Sequence, residues 1–75
     1  MKKAKINTVK ILEDNKVHYL DIPTRGNAPV LLLEYVSELG LRINRVENDT
    51  RYFRIHLNEK LSVLVGIKNY INNNL

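Results

Sequence analysis

Two histidines, His18 and His56, are the side chains of this sequence best suited to proton transfer near neutral pH. The strand pairing predicted below places them on opposite faces of a β-sheet, so they cannot act together as general acid and base. His56 beside arginine and tyrosine could in principle cleave RNA, with a guanidinium stabilising the phosphorane. Because that constellation lacks a second base, ribonuclease activity is only a remote alternative.

Neither a metal site nor a phosphate-binding loop is predicted. The chain has no cysteine, and no carboxylate cluster accompanies the histidines. Glu34 and Glu38 lie four residues apart on a predicted helix, where such a pair is more often a solvated face than a ligand set. The loop at 23–27 contains one glycine, Gly26, which is far from a glycine-rich phosphate loop. We therefore expect no catalytic residue, no metal, no cofactor and no small-molecule substrate.

The elements that would position these side chains begin with a hairpin. The β-like segments 6–12 and 16–22 flank a polar turn at 14–15, where Asp-Asn tolerates left-handed backbone conformations. A two-residue turn there places Val9 opposite Leu20. The core side is then predicted to hold Asn7, Val9, Ile11, His18, Leu20 and Ile22. The other side would hold Thr8, Lys10, Leu12, Val17, Tyr19 and Asp21.

A first helix is predicted over residues 28–39, with Asn27 as its N-cap and Pro29 in its first turn. Gly40 is placed for the left-handed position that ends a helix. The core-facing positions of this helix are predicted as Leu32, Leu33, Val36 and Leu39. Further apolar residues widen the stripe beyond what one sheet face needs, and we expect that surplus to meet the second helix or another subunit. They are Val30, Leu31 and Tyr35.

A second hairpin is predicted from segments 41–47 and 51–57, joined by a three-residue loop at 48–50. A two-residue loop would mix polar and apolar faces, whereas this loop places Ile43 opposite Ile55. The outer face would then pair Arg42 with His56, Asn44 with Arg54, and Val46 with Tyr52. The core side would hold Leu41, Ile43, Arg45, Phe53, Ile55 and Leu57.

A second helix is predicted over 59–72, with Asn58 as its N-cap. Its apolar positions are Leu61, Leu64, Val65, Ile67 and Ile71. The order ββαββα predicts an α+β fold, with a four-stranded antiparallel sheet and both helices packed on one face. We expect one domain over 1–75, with a flexible basic N-terminus at 1–5 and a frayed C-terminus at 72–75.

The outer sheet face is the predicted binding surface. It would carry Lys10, Tyr19, Arg42, Asn44, Tyr52, Arg54 and His56. Aromatic rings can stack on unpaired bases while arginine and lysine pair with phosphates, which favours single-stranded nucleic acid as a ligand. The same face has an apolar part near the turns, and this part, like the wide helix stripes, favours protein contact. Its residues are Leu12, Val17, Tyr19, Val46 and Tyr52.

Size and charge bound the function class. A chain of 75 residues buries only about 60% of its unfolded surface, and without disulfides or a metal it needs good packing or self-association. A homodimer is therefore one alternative. The net charge of +4 attracts polyanions or acidic protein surfaces, although it also serves solubility.

Location and origin follow from composition. The longest apolar run, 30–33, is far short of the roughly 20 residues of a membrane span, and no secretory signal is present, so we expect a cytoplasmic protein. Abundant Asn, Ile and Lys, at 10, 7 and 7 residues, have A/T-rich codons typical of low-GC bacteria and their phages. The sequence predicts a small non-enzymatic regulatory protein that acts by protein–protein contact. The alternative is a single-stranded nucleic-acid binder.

Overall fold

The computed structural model describes residues 8–75. Its elements are β1 (Lys10–Asp14), β2 (Val17–Pro23), α1 (Ala28–Leu39), β3 (Arg45–Asn48), β4 (Tyr52–His56) and α2 (Leu61–Asn73). The strands form one open antiparallel sheet in the order β1-β2-β4-β3. This arrangement confirms the predicted ββαββα order and the α+β class. The predicted flexible segment 1–5 and the predicted pairing of Asn7 lie outside the described residues.

Both helices cover the sheet face that carries Leu20, Ile22 and Ile55. α1 lies against β2, whereas α2 lies against β1 and β2. The buried apolar side chains on this face form one core, made of Val9, Leu20, Ile22, Ala28, Leu32, Val36, Ile55, Leu57, Leu64, Ile67 and Ile71. Tyr35 and Tyr70 stack with their ring centroids 4.0 Å apart, which joins α1 to α2. Part of the predicted apolar surplus therefore lies between the helices.

α1 begins and ends where its local sequence predicts. Asn27 precedes the helix as its cap residue, although its side chain makes no capping hydrogen bond, and Pro29 lies in the first turn. Gly40 ends the helix with a left-handed φ of 71°, and its N–H donates to the carbonyls of Val36 and Ser37. A residue with a Cβ would be strained at this φ, which explains why glycine marks the boundary.

α2 begins at Leu61, two residues later than predicted. Asn58 adopts a left-handed φ of 56° ahead of the helix, and Lys60 takes the cap position instead. At the other end, Asn72 falls in the segment predicted to fray, yet its side chain bonds the backbone of Val9. The Val9 N–H donates to Oδ1 at 2.8 Å, and Nδ2 donates to the Val9 carbonyl at 3.1 Å.

The first hairpin turns one residue later than predicted. Asn15 and Lys16 form its turn with positive φ values of 52° and 67°, as a two-residue hairpin requires. The predicted register is therefore wrong, and Leu20 faces Ile11 rather than Val9. Since the shift is two positions, each side chain stays on the face predicted for it.

The second hairpin differs from the prediction on one strand. Val46 faces Ile55, where Ile43 was expected, and Glu47 faces Arg54. This shift of three positions turns β3 over relative to the sheet. Its odd-numbered residues therefore lie on the outer face, and its even-numbered residues lie on the helix side.

The inversion is caused by an irregularity in the backbone where β3 begins. Asn44 donates its N–H to the carbonyl of His56 at 2.7 Å, and Arg45 is also paired with His56. Two residues facing one is the arrangement of a β-bulge, which interrupts the alternation that the prediction carried from residue 41 onward. Arg42 and Asn44 accordingly belong to the connector at 41–44 and not to a strand.

Candidate functional site

The outer sheet face carries most of its predicted residues but also two carboxylates that the prediction left out of the binding site. Lys10, Tyr19, Tyr52, Arg54 and His56 lie on it, because β1, β2 and β4 keep their predicted faces. The predicted Arg42 and Asn44 lie in the connector, and the inversion of β3 puts Arg45 and Glu47 in their place. The two carboxylates are Glu47 on β3 and Asp21 on β2, and their negative charges offset part of the positive charge of the face.

Tyr19 is only 6% exposed, although neither α1 nor α2 lies on its side of the sheet. The Arg54 guanidinium lies 5.2 Å from the centre of its ring, and the His56 ring lies 5.2 Å away at an angle of 31°. A cation–π contact of this kind contributes about 0.5 to 1 kcal/mol. The ring is therefore covered by its own neighbours, and little of it is open to stacking by a base.

Asp21, which is 9% exposed, faces Arg54 across the β2–β4 pair. Arg54 Nε lies 3.9 Å from Asp21 Oδ1, and that oxygen has no hydrogen-bond partner among the described residues. Burial raises the pKa of the Asp21 carboxyl above its usual value; Arg54 and Lys10 oppose that rise, and Asp49 adds to it. The Arg54 charge is thus partly offset within the protein.

Glu47 is a side chain capable of acid–base chemistry that the sequence alone did not place on this face. Its Oε2 lies 3.3 Å from Arg45 Nε and 3.4 Å from His56 Nε2. It is the second acid–base group that the remote ribonuclease alternative lacked. The His56 Nε2 is buried, however, and makes no hydrogen bond among the described residues, so a substrate atom cannot reach it in this structure.

The two arginines of the outer face, Arg45 and Arg54, each lie near a carboxylate. A phosphate chain binds most strongly where it meets cations that no carboxylate neutralises. The outer face therefore attracts nucleic acid less strongly than the predicted cluster of Arg42, Arg54 and His56 would have done.

A second surface lies on the helix side of β3 and β4. The helices lie against β1 and β2, and between α1, the connector and β3 an apolar groove of about 160 Å³ opens. It is lined by Ile22, Pro29, Leu32, Leu33, Ile43, Val46, Phe53 and Ile55. We call this surface the apolar groove.

Two side chains of the apolar groove are largely open to water. Leu33, predicted to face the core, is 58% exposed, and Val46, predicted for the outer face, is 53% exposed. Val30, also on α1, is 55% exposed. Apolar side chains that gather around a concave surface are typical of interaction sites. The wide stripe of α1 gave a signal for this surface, but its second wall depends on the orientation of β3.

No known protein family matches this chain, and no curated protein or solved structure matches it either. Within residues 8–75, no group of three or more His, Asp or Glu side chains is arranged to hold a metal ion. Neither α1 nor α2 is long and apolar enough to cross a membrane. We therefore infer the function of this chain from the two surfaces of its sheet.

Proposed function

We propose that this chain is a small non-enzymatic protein-binding module that contacts its partner through the apolar groove. The observation that carries the proposal is the open, wholly apolar lining, in which Leu33 and Val46 are more than half exposed. Removing such side chains from water contributes about 25 cal/mol for each Å² buried, which a protein partner with apolar side chains would gain. Composition favours a cytoplasmic regulator of a bacterium or phage.

The outer face supports the other two functions less well. Single-stranded nucleic-acid binding stands second, because Tyr19 is covered and the arginines have carboxylate neighbours. Ribonuclease activity stands last, because the Nε2 of His56 is buried. Both alternatives use the outer face, so substitutions on the two sides of the sheet distinguish them from groove binding.

The test is affinity capture of proteins from lysate, with and without nuclease, by four variants of the tagged chain. Leu33→Lys and Val46→Lys place a charge in the apolar groove. Each should weaken capture at least about tenfold, because burying an unpaired charge costs more than 1.4 kcal/mol. Val17→Lys, at an equally exposed site on β2, and Arg54→Glu, on the outer face, should retain the captured protein.

The lysate should also contain a copy of the chain with a different tag, so that self-association is scored beside other partners. Hydrogen exchange on the captured complex should show protection at β3 and at the groove side of α1. Capture that nuclease abolishes, or that Arg54→Glu abolishes while Leu33→Lys does not, would overturn the proposal in favour of nucleic acid.

A further inference from the structure

β3 lies at the edge of the sheet, with one side of its backbone unpaired within the described sheet. At the end of the hairpin, Asp49 donates its N–H to the carbonyl of Tyr52 at 2.9 Å. Since the hydrogen-bonding direction alternates along an antiparallel strand, Arg45 and Glu47 also turn their backbone groups toward β4. Val46 therefore turns its N–H and C=O toward the free edge.

We propose that this edge pairs with β3 of a second copy of the chain, antiparallel and around a two-fold axis at Val46. The proposal rests on the proposed function, because the apolar groove borders the same strand. Val46 of each copy would exchange two backbone hydrogen bonds with Val46 of the other. On the outer face, Arg45 of each copy then lies directly opposite Glu47 of the second copy, and the pairing forms one eight-stranded sheet.

Charge selects this register over its neighbours. An axis at Arg45 places two arginines opposite each other, and an axis at Glu47 does the same with two glutamates. An axis at Asn48 places Glu47 opposite Asp49. A two-fold axis that falls between two residues would place a helix-side side chain directly opposite an outer-face side chain. Residues directly opposite each other in a sheet share one face, so such an axis is excluded. Of these axes, only the one at Val46 pairs opposite charges without placing any like charges directly opposite each other, which would be destabilising.

The helix side of the sheet supports the same pairing. Val46 lines the apolar groove and is 53% exposed in the single chain. Around an axis at Val46 the two valine side chains meet, and the apolar grooves of the two copies become continuous. A symmetric dimer therefore covers apolar surface on one side of the new sheet while it pairs charges on the other.

The β1 edge is a poor competitor for such pairing. The Asn72 side chain already binds both backbone groups of Val9 at its start. Further along, Glu13 shares the helix-facing side of β1 with Ile11, and an inward charge of this kind discourages edge-to-edge association. The four residues Arg45–Asn48 of β3 have neither protection.

The test uses charge reversal on β3 and sedimentation over a range of protein concentrations. R45E makes the strand acidic at both positions, and E47R makes it basic at both. Each variant alone should raise the dimer dissociation constant at least about tenfold, because two attractive pairs become repulsive. The R45E/E47R double variant should restore the dimer. An equimolar mixture of R45E with E47R should also dimerise, since acidic and basic strands then face each other.

Val46→Lys should likewise give the 8.7 kDa mass of the single chain, while Val17→Lys should dimerise as the unmodified protein does. Circular dichroism checks that each variant is folded. A mass of one chain for the unmodified protein at every concentration up to millimolar would overturn the second copy as partner. In that case, capture of another protein through the apolar groove would leave the proposed function standing. A dimer that ignores R45E, E47R and Val46→Lys would also overturn the β3 pairing.

Discussion

The two edges of the sheet differ in how far their backbone groups and apolar side chains are covered. At the β1 edge, α2 lies against β1 and β2 and has the fully buried Ile67 and Ile71, and Asn72 binds the backbone of Val9, which directly precedes β1. At the β3 edge, the apolar groove leaves Val46 half exposed. We therefore expect the half built on β1, β2 and α2 to supply most of the stability, while the half that contains β3 keeps apolar surface and backbone groups available for contact.

The largest difference between the two halves should appear when one apolar side chain in each half is truncated to alanine. Ile67→Ala should lower the free energy of unfolding by about 2 to 5 kcal/mol, because the side chain is fully buried on α2, the helix that lies against β1 and β2. Leu33→Ala, in the apolar groove, should cost less than about 1 kcal/mol, because that side chain is 58% exposed. Urea denaturation followed by circular dichroism measures both.

If Ile67→Ala leaves no folded protein, Ile67→Val removes a single methyl group and should still cost about 0.5 to 1.5 kcal/mol. A loss for Leu33→Ala as large as that for Ile67→Ala would show that stability is spread evenly over the two halves.

A smaller effect should follow from opening the β1 edge. Asn72→Ala leaves the N–H and C=O of the nearly buried Val9 without their partners, which should cost about 1 to 3 kcal/mol. The Val9 amide should also exchange with solvent faster. Asn69→Ala, at an exposed position of the same helix, is the matched control and should leave both quantities nearly unchanged. Equal behaviour of the two variants would remove Asn72 from the description of this edge.

The smallest effect should come from the junction of the two halves, where Asp21 on β2 faces Arg54 on β4. Asp21→Asn should change the free energy of unfolding at pH 7 by less than about 1 kcal/mol, because the lost ion pair offsets the removed cost of burial. The pH dependence is more informative. Burial raises the pKa of Asp21, so the folded protein holds this proton to higher pH than the unfolded chain does.

The stability that comes from this proton is fully present below the usual pKa of 3.8 and is lost as the pH rises through the raised pKa. The unmodified protein should therefore gain stability relative to Asp21→Asn as the pH falls from 7 toward 4. Denaturation curves at several pH values measure this difference. A difference that stays constant, or that changes in the opposite direction, would contradict the raised pKa.

Signals between residues close together in the sequence were sufficient to predict the first hairpin and the bounds of α1. Pro29 and Gly40 fix the bounds of α1, because each acts through its own φ angle. The turn of the first hairpin was misplaced by one residue, yet the faces survived because the register moved by two. Local chemistry therefore predicted the order of the elements and the faces of three strands.

β3 could not be predicted in this way, because its orientation depends on a bulge that no local signal marks. Leu41 and Ile43 alternate as a strand would, but Ile43 instead packs into the apolar groove against residues of α1 and β4. The alternation then restarts at Arg45. The same contrast applies to the candidate site. Tyr19 and Arg54 were predicted on the outer face because their strands keep their predicted faces. Glu47 was missed because it reaches that face only when β3 is turned over.

The bond between Asn72 and Val9 joins residues 63 positions apart in the chain. A ribosome adds about 5 to 20 residues each second, so the amide that binds the start of the β1 edge is made roughly 3 to 13 seconds after Val9 itself. For that interval the N–H and C=O of Val9, at the start of the β1 edge, lack the partner that Asn72 gives them in the folded chain. Aggregation by strand pairing threatens the protein most while it is being synthesised, and this side-chain amide then occupies the backbone groups at one end of the β1 edge.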